Sequence, residues 1–374
     1  MRILLLNRYA QRGASSRLRT LQYIPYLEKF GATVESVPLF DLNYIDNIHA
    51  TDDWLKGRFR STPHIVEGFV RRIGALLQAR RYDVIWLEKE LFPYMPGIFE
   101  GMLKRLNVPY VVDYDDAIFH RYDQARSAIV RRLLSRKLYP LLNGAFAVIA
   151  GNDYLADYAR RHGASRVEII PTVLDITRYR LSPEPDDVVL RIGWIGSPST
   201  APYLKLLSAP LQAMAKVRPT ILVTIGAPPL RIPGVTIEQH DWSIDTEVLL
   251  VESFHVGVMP LLDTAWERGK CGYKLLQYMA CGRPVAASPV GVNRQIVNNR
   301  TGYLAKGDDE WLAAFQRLAG SPQQRTAMGT IGREWVEHGY TLRTMAPRVA
   351  EVLMAAGGAV SSTRNALSTM YFNL

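Results

Sequence analysis

Residues 269–288, GKCGYKLLQYMACGRPVAAS, govern how the rest of this chain is read. Glycines stand immediately before a run in which Leu275, Leu276 and Met279 share one helical face, so a loop opens into a helix over about residues 273–281. Glycines at such a point let backbone N–H groups approach an anion, and the helix N-terminus adds a favourable dipole. Lys270 and Lys274 bring positive charge to the same turn, a combination suited to a diphosphate. The competing reading is a core helix that simply starts at Gly272. Residues 284–287, PVAA, follow as a short strand.

Working outward, the same alternation fills the chain. In the first half, residues 2–6, 33–37, 83–87, 110–113 and 145–150 read as strands, with amphipathic stretches at 18–30 and 128–142. In the second, strands are expected at 189–195, 220–225, 256–260 and 284–287, with helices near 201–217 and 311–318. Alternating β and α elements imply parallel sheets. A polar, proline-containing segment, SPEPDD at 182–187, interrupts the pattern. The expected organisation is an N-terminal domain over 1–180, a linker at 181–187 and a C-terminal domain over 188–340. A final helix and tail, 341–374, would return to the N-terminal domain. Two doubly wound domains would face a common cleft, and open α/β sheets bind ligands beyond the carboxyl ends of their strands.

Composition narrows the class. A chain of 374 residues with 48% hydrophobic and 21% charged residues buries ordinary globular cores. Its two cysteines, Cys271 and Cys281, are too few for a disulfide framework and lack the spacing of a zinc site. No apolar run approaches the roughly 18 residues of a membrane span, so a cytoplasmic protein is expected, attached peripherally to the inner face of the cell membrane. The net charge is +10, and its excess is clustered. Lys56, Arg58, Arg60, Arg71, Arg72, Arg80 and Arg81 are interleaved with Trp54, Phe59, Ile65 and Phe69, and residues 121–137 carry six basic side chains against Asp123. An anionic membrane surface is the expected partner of this charge, with a solvated helix face as the alternative. No stacking-aromatic signature accompanies it, so nucleic acid is not expected as a partner.

The segment YMACGRPV at 278–285, followed by GVNRQIV at 291–297 and NRTGY at 299–303, resembles the donor-site signature of family 4 glycosyltransferases, which ends in EAMAxGxPV. The likeness extends over nearly the whole chain. It implies a GT-B fold, α/β with two Rossmann-like doubly wound domains facing an inter-domain cleft. It also implies an enzyme that moves a sugar from a UDP- or GDP-linked donor to a glycan or lipid-linked acceptor in envelope polysaccharide or glycolipid assembly. Retention of anomeric configuration, no cofactor and no metal are further implications, and domain closure would exclude water. On these positions the resemblance places Gly13, Arg17, Gly196, Ser197, Lys270, Gly272, Tyr273, Lys274 and Gln277 at the donor. The chain also departs from the pattern. Of the family's two glutamates, the first falls on Gly269 and the second, a ribose ligand, on Gln277. The family's arginine after the Gly196 loop is Ser197, so Lys270 and Lys274 are expected to compensate the leaving diphosphate, and Glu267 is a candidate for the missing carboxylate.

In the first half, VVDYDD at 111–116 ends a strand where many family members place a histidine near the transferred sugar. Asp115 takes that position, and with Asp116 and Lys270 it completes the expected catalytic set. The alternatives are helix-capping aspartates, or Asp113 and Asp115 acting as the metal-binding Asp-x-Asp element of a GT-A enzyme. Glu88 and Glu90, at another strand end, are expected on the acceptor side. His120 and His240 read as isolated and structural. Two other functions use the same architecture, a sugar-nucleotide epimerase and a non-catalytic nucleotide-sugar-binding protein.

Overall fold

The computed structural model describes residues 1–11, 13–41 and 54–358, and of 54–61 the backbone alone. It divides into two compact units, Met1–Thr172 together with the chain from Arg343, and Val173–Leu342. The first is built on six strands: β1 (Arg2–Leu6), β2 (Thr33–Ser36), β3 (Val84–Glu88), β4 (Tyr110–Tyr114), β5 (Ala147–Ala150) and β6 (Val167–Ile169). They pair in parallel in the order β2-β1-β3-β4-β5-β6. Ile3 to Leu6 and Val84 to Leu87 are buried on both faces, as the central strands of a sheet covered on both sides must be. The order reverses between β1 and β3, which makes the ends of these two strands the switch point of the sheet. The helix Leu342–Ala356 buries Ala346, Val349, Ala350 and Leu353.

The second unit repeats the plan with β7 (Leu190–Ile195), β8 (Thr220–Ile225), β9 (Thr236–His240), β10 (Val256–Met259), β11 (Val285–Ala287) and β12 (Gly302–Leu304), in the order β12-β11-β10-β7-β8-β9. Alternate residues of each strand feed separate cores. Ile192, Trp194, Leu222, Val256 and Val258 join the one with Trp311 and Phe315, whereas Ile195, Val223, Ile225 and Met259 join the one with Leu275, Leu276 and Tyr278. The switch point here lies between β7 and β10. The polar segment 182–187 is fastened to this unit: Glu184 pairs with Arg325 at 2.7 Å, Arg283 donates to Ser182 Oγ at 2.7 Å, and His255 Nε2 donates to the Pro185 carbonyl at 3.0 Å.

The basic stretch 54–81 is mostly one helix, Trp54–Leu77. Lys56, Arg58, Arg60, Trp54 and Phe59 have side chains outside the described residues. Arg72, expected on the basic surface, is instead fully buried, because its guanidinium satisfies the carbonyls of Asn7, Glu90 and Leu91 at strand ends. Phe69 packs on Phe92 with ring centroids 5.1 Å apart. Among the described side chains of this helix, the exposed large apolar ones are Val66, Val70, Ile73 and Leu77. Among the described residues no helix is long and apolar enough to cross a membrane.

Candidate active site

In the second unit, β7 ends at Ile195 and the chain turns through Gly196 into a loop of Ser197, Ser199 and Thr200. The helix Tyr273–Ala280 follows the other side of the switch point and is entered through Gly272, whose φ of 68° lies in the left-handed region that favours glycine. One bond locks these elements together: the Ile195 amide donates to Tyr278 Oη at 3.0 Å. The arrangement brings Lys274 across to the β7 loop. Its ammonium lies 4.2 Å from the Trp194 ring centroid and donates to Thr200 Oγ1 at 3.2 Å. A Cβ on Gly196 would fall on the Lys274 ammonium and the Trp194 ring, so the glycine makes room for the lysine. Burial, with Lys270 nearby, lowers the Lys274 pKa to about 7. An amine held in this way is made to take a proton when an anion arrives.

The remaining donor-side positions divide. Tyr273 begins the helix and its hydroxyl lies 3.4 Å from that of Tyr179. Gln277 is buried, and its amide donates to Tyr179 Oη at 3.1 Å and to Glu247 Oε2 at 3.4 Å. Glu247 in turn accepts from Trp242 Nε1 at 2.8 Å and pairs with Arg178 at 3.0 Å. With its hydrogens committed, the group Gln277 has left to share is its carbonyl oxygen, an acceptor as the family's glutamate is. Ser197 is exposed, with its hydroxyl 2.9 Å from that of Ser199. Glu267 is buried on the short helix Ala265–Arg268 and accepts from the hydroxyls of Tyr203 and Thr264.

In the first unit the switch point gathers charge. Gly13 precedes the helix Ala14–Arg19, and a Cβ there would strike Tyr9, so close packing accounts for the glycine. Arg17 lies half-buried on that helix. Glu88, at the end of β3, accepts from the Arg8 amide at 2.9 Å and from Ser16 Oγ at 2.5 Å, and its other oxygen is 3.0 Å from Ser15 Oγ. Ser15 Oγ also reaches Asp115 Oδ2 at 2.6 Å. Lys89 pairs with Asp115 at 2.9 Å and with Asp116 at 3.4 Å. Burial raises the Asp115 carboxyl, yet Lys89 and the Ser15 hydrogen bond outweigh it and hold the pKa below the ordinary value. Glu88, Asp115 and Asp116 thus form one network. Glu90 belongs to another: it is buried against Arg8 at 2.9 Å, Lys137 at 3.3 Å and Tyr122 Oη at 2.5 Å.

Asp113 pairs with buried Arg19 at 2.6 Å; burial outweighs that arginine and, with Asp115 and Glu88 adding to the rise, brings its pKa to about 6. The histidines are not isolated, contrary to the sequence reading. His120 Nδ1 lies 2.8 Å from Asp123 and Nε2 lies 2.8 Å from Tyr154 Oη, while His240 Nε2 lies 2.7 Å from Glu238. His120 and Asp123 share the short helix His120–Asp123 at i,i+3, and Glu238 and His240 lie two apart on β9, so both carboxylates stand at local spacings; only Tyr154 comes from another element. Lys89, Ser15, Thr200 and Trp194 were likewise missed as site residues, although Lys89 stands between the two glutamates that were singled out.

Two Rossmann-like units, each with a polar cluster at its switch point, define the GT-B class of glycosyltransferases. Residues 5–172 match the Glycosyl transferase 4-like domain and residues 189–320 match the Glycosyl transferases group 1 domain, and the chain belongs to this family of transferases. Among solved structures it is similar to sucrose-phosphate synthase from Thermosynechococcus elongatus (17% identity, 96% of this chain and 100% of that one, TM-score 0.69). It is also similar to Anabaena HepE in complex with UDP-glucose (16%, 95% and 100%, TM-score 0.67). A third similar structure is WaaG, a glycosyltransferase involved in lipopolysaccharide biosynthesis (12%, 94% and 99%, TM-score 0.65). No curated protein matches the chain significantly in sequence.

Proposed function

We propose that this glycosyltransferase takes its sugar from a UDP- or GDP-linked donor bound at the second unit and passes it, with retention, to a glycan or lipid-linked acceptor handled at the first. The observation that carries this reading is the Lys274 ammonium, held over Trp194 beside Thr200 at the sheet's switch point. Such a cation, with the Tyr273–Ala280 helix N-terminus entered through Gly272, suits the charge that develops on a leaving diphosphate. Lys270 adds to that charge, Gln277 accepts from the ribose, and Gly196 and Ser197 line the approach. Gly13 and Arg17 stand at the corresponding turn of the first unit. Asp115 orients the sugar or accepts the acceptor's hydrogen bond, and Asp116 supports it, with Glu88 behind them. No residue serves as a covalent nucleophile in this reading; proximity and electrostatics carry the catalysis.

The setting proposed is envelope polysaccharide or glycolipid assembly at the inner face of the membrane. Support comes from the helix Ala128–Leu134, where Ile129 and Leu133 are about 70% and 69% exposed and share one face, flanked by exposed Arg126, Arg132 and Arg136. The stripe of Val66, Val70, Ile73 and Leu77, with Arg80 and Arg81 beyond it, has the same character. Vesicle cosedimentation with and without anionic lipid, at low and high salt, tests this part. Equal recovery in the supernatant throughout would remove it.

A panel of UDP- and GDP-sugars, assayed for nucleotide release with and without extracted membrane lipid, tests the transfer itself. Release from at least one donor, lost in Lys274→Met, is expected. Absence of release from every donor, with no binding of UDP or GDP, would overturn the reading.

A further inference from the structure

Among the described residues three without glycine's freedom adopt positive φ: Lys89, Tyr94 and Asn107. Lys89 stands out because at φ 65° it is also a buried cation, directly after the last residue of β3 at the switch point. A side chain with a Cβ disfavours this backbone region, so something in the native structure must hold it there. One anchor is visible, since its amide donates to the Asp113 carbonyl at 2.9 Å and continues the β3–β4 ladder by one residue. The turn then sends the side chain not outward, as the next residue of a strand would go, but across to the end of β4. There its ammonium bridges Asp115 at 2.9 Å and Asp116 at 3.4 Å.

We propose that Lys89 is a positioning residue of the transfer reaction, which acts through Asp115: the left-handed turn delivers one fixed cation that orients this carboxylate and keeps it ionised. The inference rests on the proposed role of Asp115 at the reacting sugar or acceptor. Among the charges around Asp115, Lys89 exerts the strongest attraction. Ser15 contributes a neutral hydrogen bond to Asp115, and Arg19 adds a smaller attraction while bonded to Asp113. Arg8 is bonded to Glu90 and Arg72 to backbone carbonyls. Glu88 and Asp116 add negative charge, which makes the cation more necessary. Burial works against the charged lysine, but Asp115 and Asp116 prevail and hold it protonated throughout the neutral range. A glycine would relieve the backbone at this position, and a lysine stands there instead.

The test uses Lys89→Met, Lys89→Arg and Lys89→Gly in the full chain, with Asp115 followed by carboxyl carbon NMR of aspartate-labelled protein. Its resonance is identified by its loss in Asp115→Asn. The expected result is an upward move of the Asp115 titration by about one to two pH units in the Met and Gly variants, and little in Arg. The acid limb of kcat/KM for donor turnover should move in parallel. An unmoved Asp115 titration would overturn the coupling whatever the enzyme does. A moved titration with an unmoved acid limb would overturn the role in the reaction, while nucleotide release leaves the transferase reading in place. If Lys89→Gly is more stable than the parent and equally active, the turn is structural and the proposal fails. Should the parent turn over no donor, the transferase reading fails and this role for Lys89 falls with it, even if the titration shows the coupling.

Discussion

Replacing Lys274 with methionine should make the protein more stable and a worse binder of nucleotide. A lysine whose pKa falls from 10.5 to about 7 on folding gives up roughly 5 kcal/mol relative to a group that does not titrate. Lys274 keeps some solvent contact, and the Trp194 ring and Thr200 Oγ1 compensate part of the loss, so roughly 2 kcal/mol is a safer expectation. For a unit of this size that corresponds to a rise of about 4 to 8 °C in Tm at pH 7. The sign follows from proton counting. Between pH 7 and 10.5 the unfolded chain binds the proton that the folded one has released, so the lysine's penalty is fully present below about pH 7 and fades as pH approaches 10.5. The advantage of Lys274→Met should shrink over the same window.

Binding runs the other way. A diphosphate stabilises the ammonium, so complex formation above pH 7 takes up a proton, and affinity should fall by up to about tenfold per pH unit until the pKa of the bound state is reached. Loss of a charge-assisted hydrogen bond of about 1.5 to 3 kcal/mol predicts about 10- to 100-fold weaker binding in the variant near neutral pH. Calorimetric titration of UDP and of GDP in two buffers of different ionisation enthalpy counts the protons, and scanning calorimetry gives the Tm. A variant less stable than the parent at pH 7, or parent binding with no proton uptake and no loss on mutation, would refute the reasoning.

Gly196→Ala should displace the Lys274 ammonium, because the new methyl group meets it and the rigid Trp194 ring; nucleotide affinity should fall at least about tenfold with a small loss of stability, measured by the same titration. His255 accepts from the Arg191 amide at 3.0 Å through Nδ1 and is held neutral by burial, its pKa lowered from 6.5. The stability it contributes is present above about pH 6.5 and lost as pH falls through the lowered folded value, so His255→Gln should flatten the acid side of the Tm-versus-pH curve. Turnover should survive EDTA, since side-chain cations and a helix dipole take the place of a metal in this reading. Complete loss restored by manganese would shift attention to Asp113 and Asp115.

The central strands were legible because burial on both faces favours apolar runs: β1 and β3 announce themselves as Ile3 to Leu6 and Val84 to Leu87, and β7 and β8 as Leu190 to Ile195 and Thr220 to Ile225, mostly apolar runs that Arg191 and Thr224 interrupt. The strands that escaped, β6, β9 and β12, all lie at sheet edges. Three residues suffice for β6 and β12, and β9, with Glu238, Gln239 and His240, keeps polar side chains on a half-exposed edge. Edge strands are selected against looking sticky, which removes the pattern by which strands are recognised. The helix Trp54–Leu77 stands in the sequence reading only as the alternative to a membrane-facing surface, because seven basic residues across 54–81 are compatible with both. Arg72 shows the ambiguity, since a buried arginine that caps carbonyls and a solvated one have the same letter.

The site follows the same division between local and tertiary information. The helix start at Gly272 was legible because glycine before an apolar-periodic run is a local signal, and the anion role proposed for Lys274 rests on it because a helix N-terminus needs no distant partner to attract an anion. Lys89 was not, although it was in view between Glu88 and Glu90, because its meaning depends on a φ of 65° and on carboxylates 26 and 27 positions away. Trp194 falls inside the strand expected at 189–195 with nothing to mark it, and only the arrival of Lys274 from a helix 80 positions later gives its ring a cation to face. In both cases a residue that looked ordinary in its own element acquires chemistry when the switch point brings a second element beside it. Such places are also where the local rules are broken: a lysine in a glycine conformation, an amine driven toward neutrality. Departures of this kind cost stability and persist only where surrounding structure or function maintains them. That is why the Lys274 and Lys89 substitutions separate stability from turnover, and why a stabilised but inactive variant argues for a site where a merely damaged one would not.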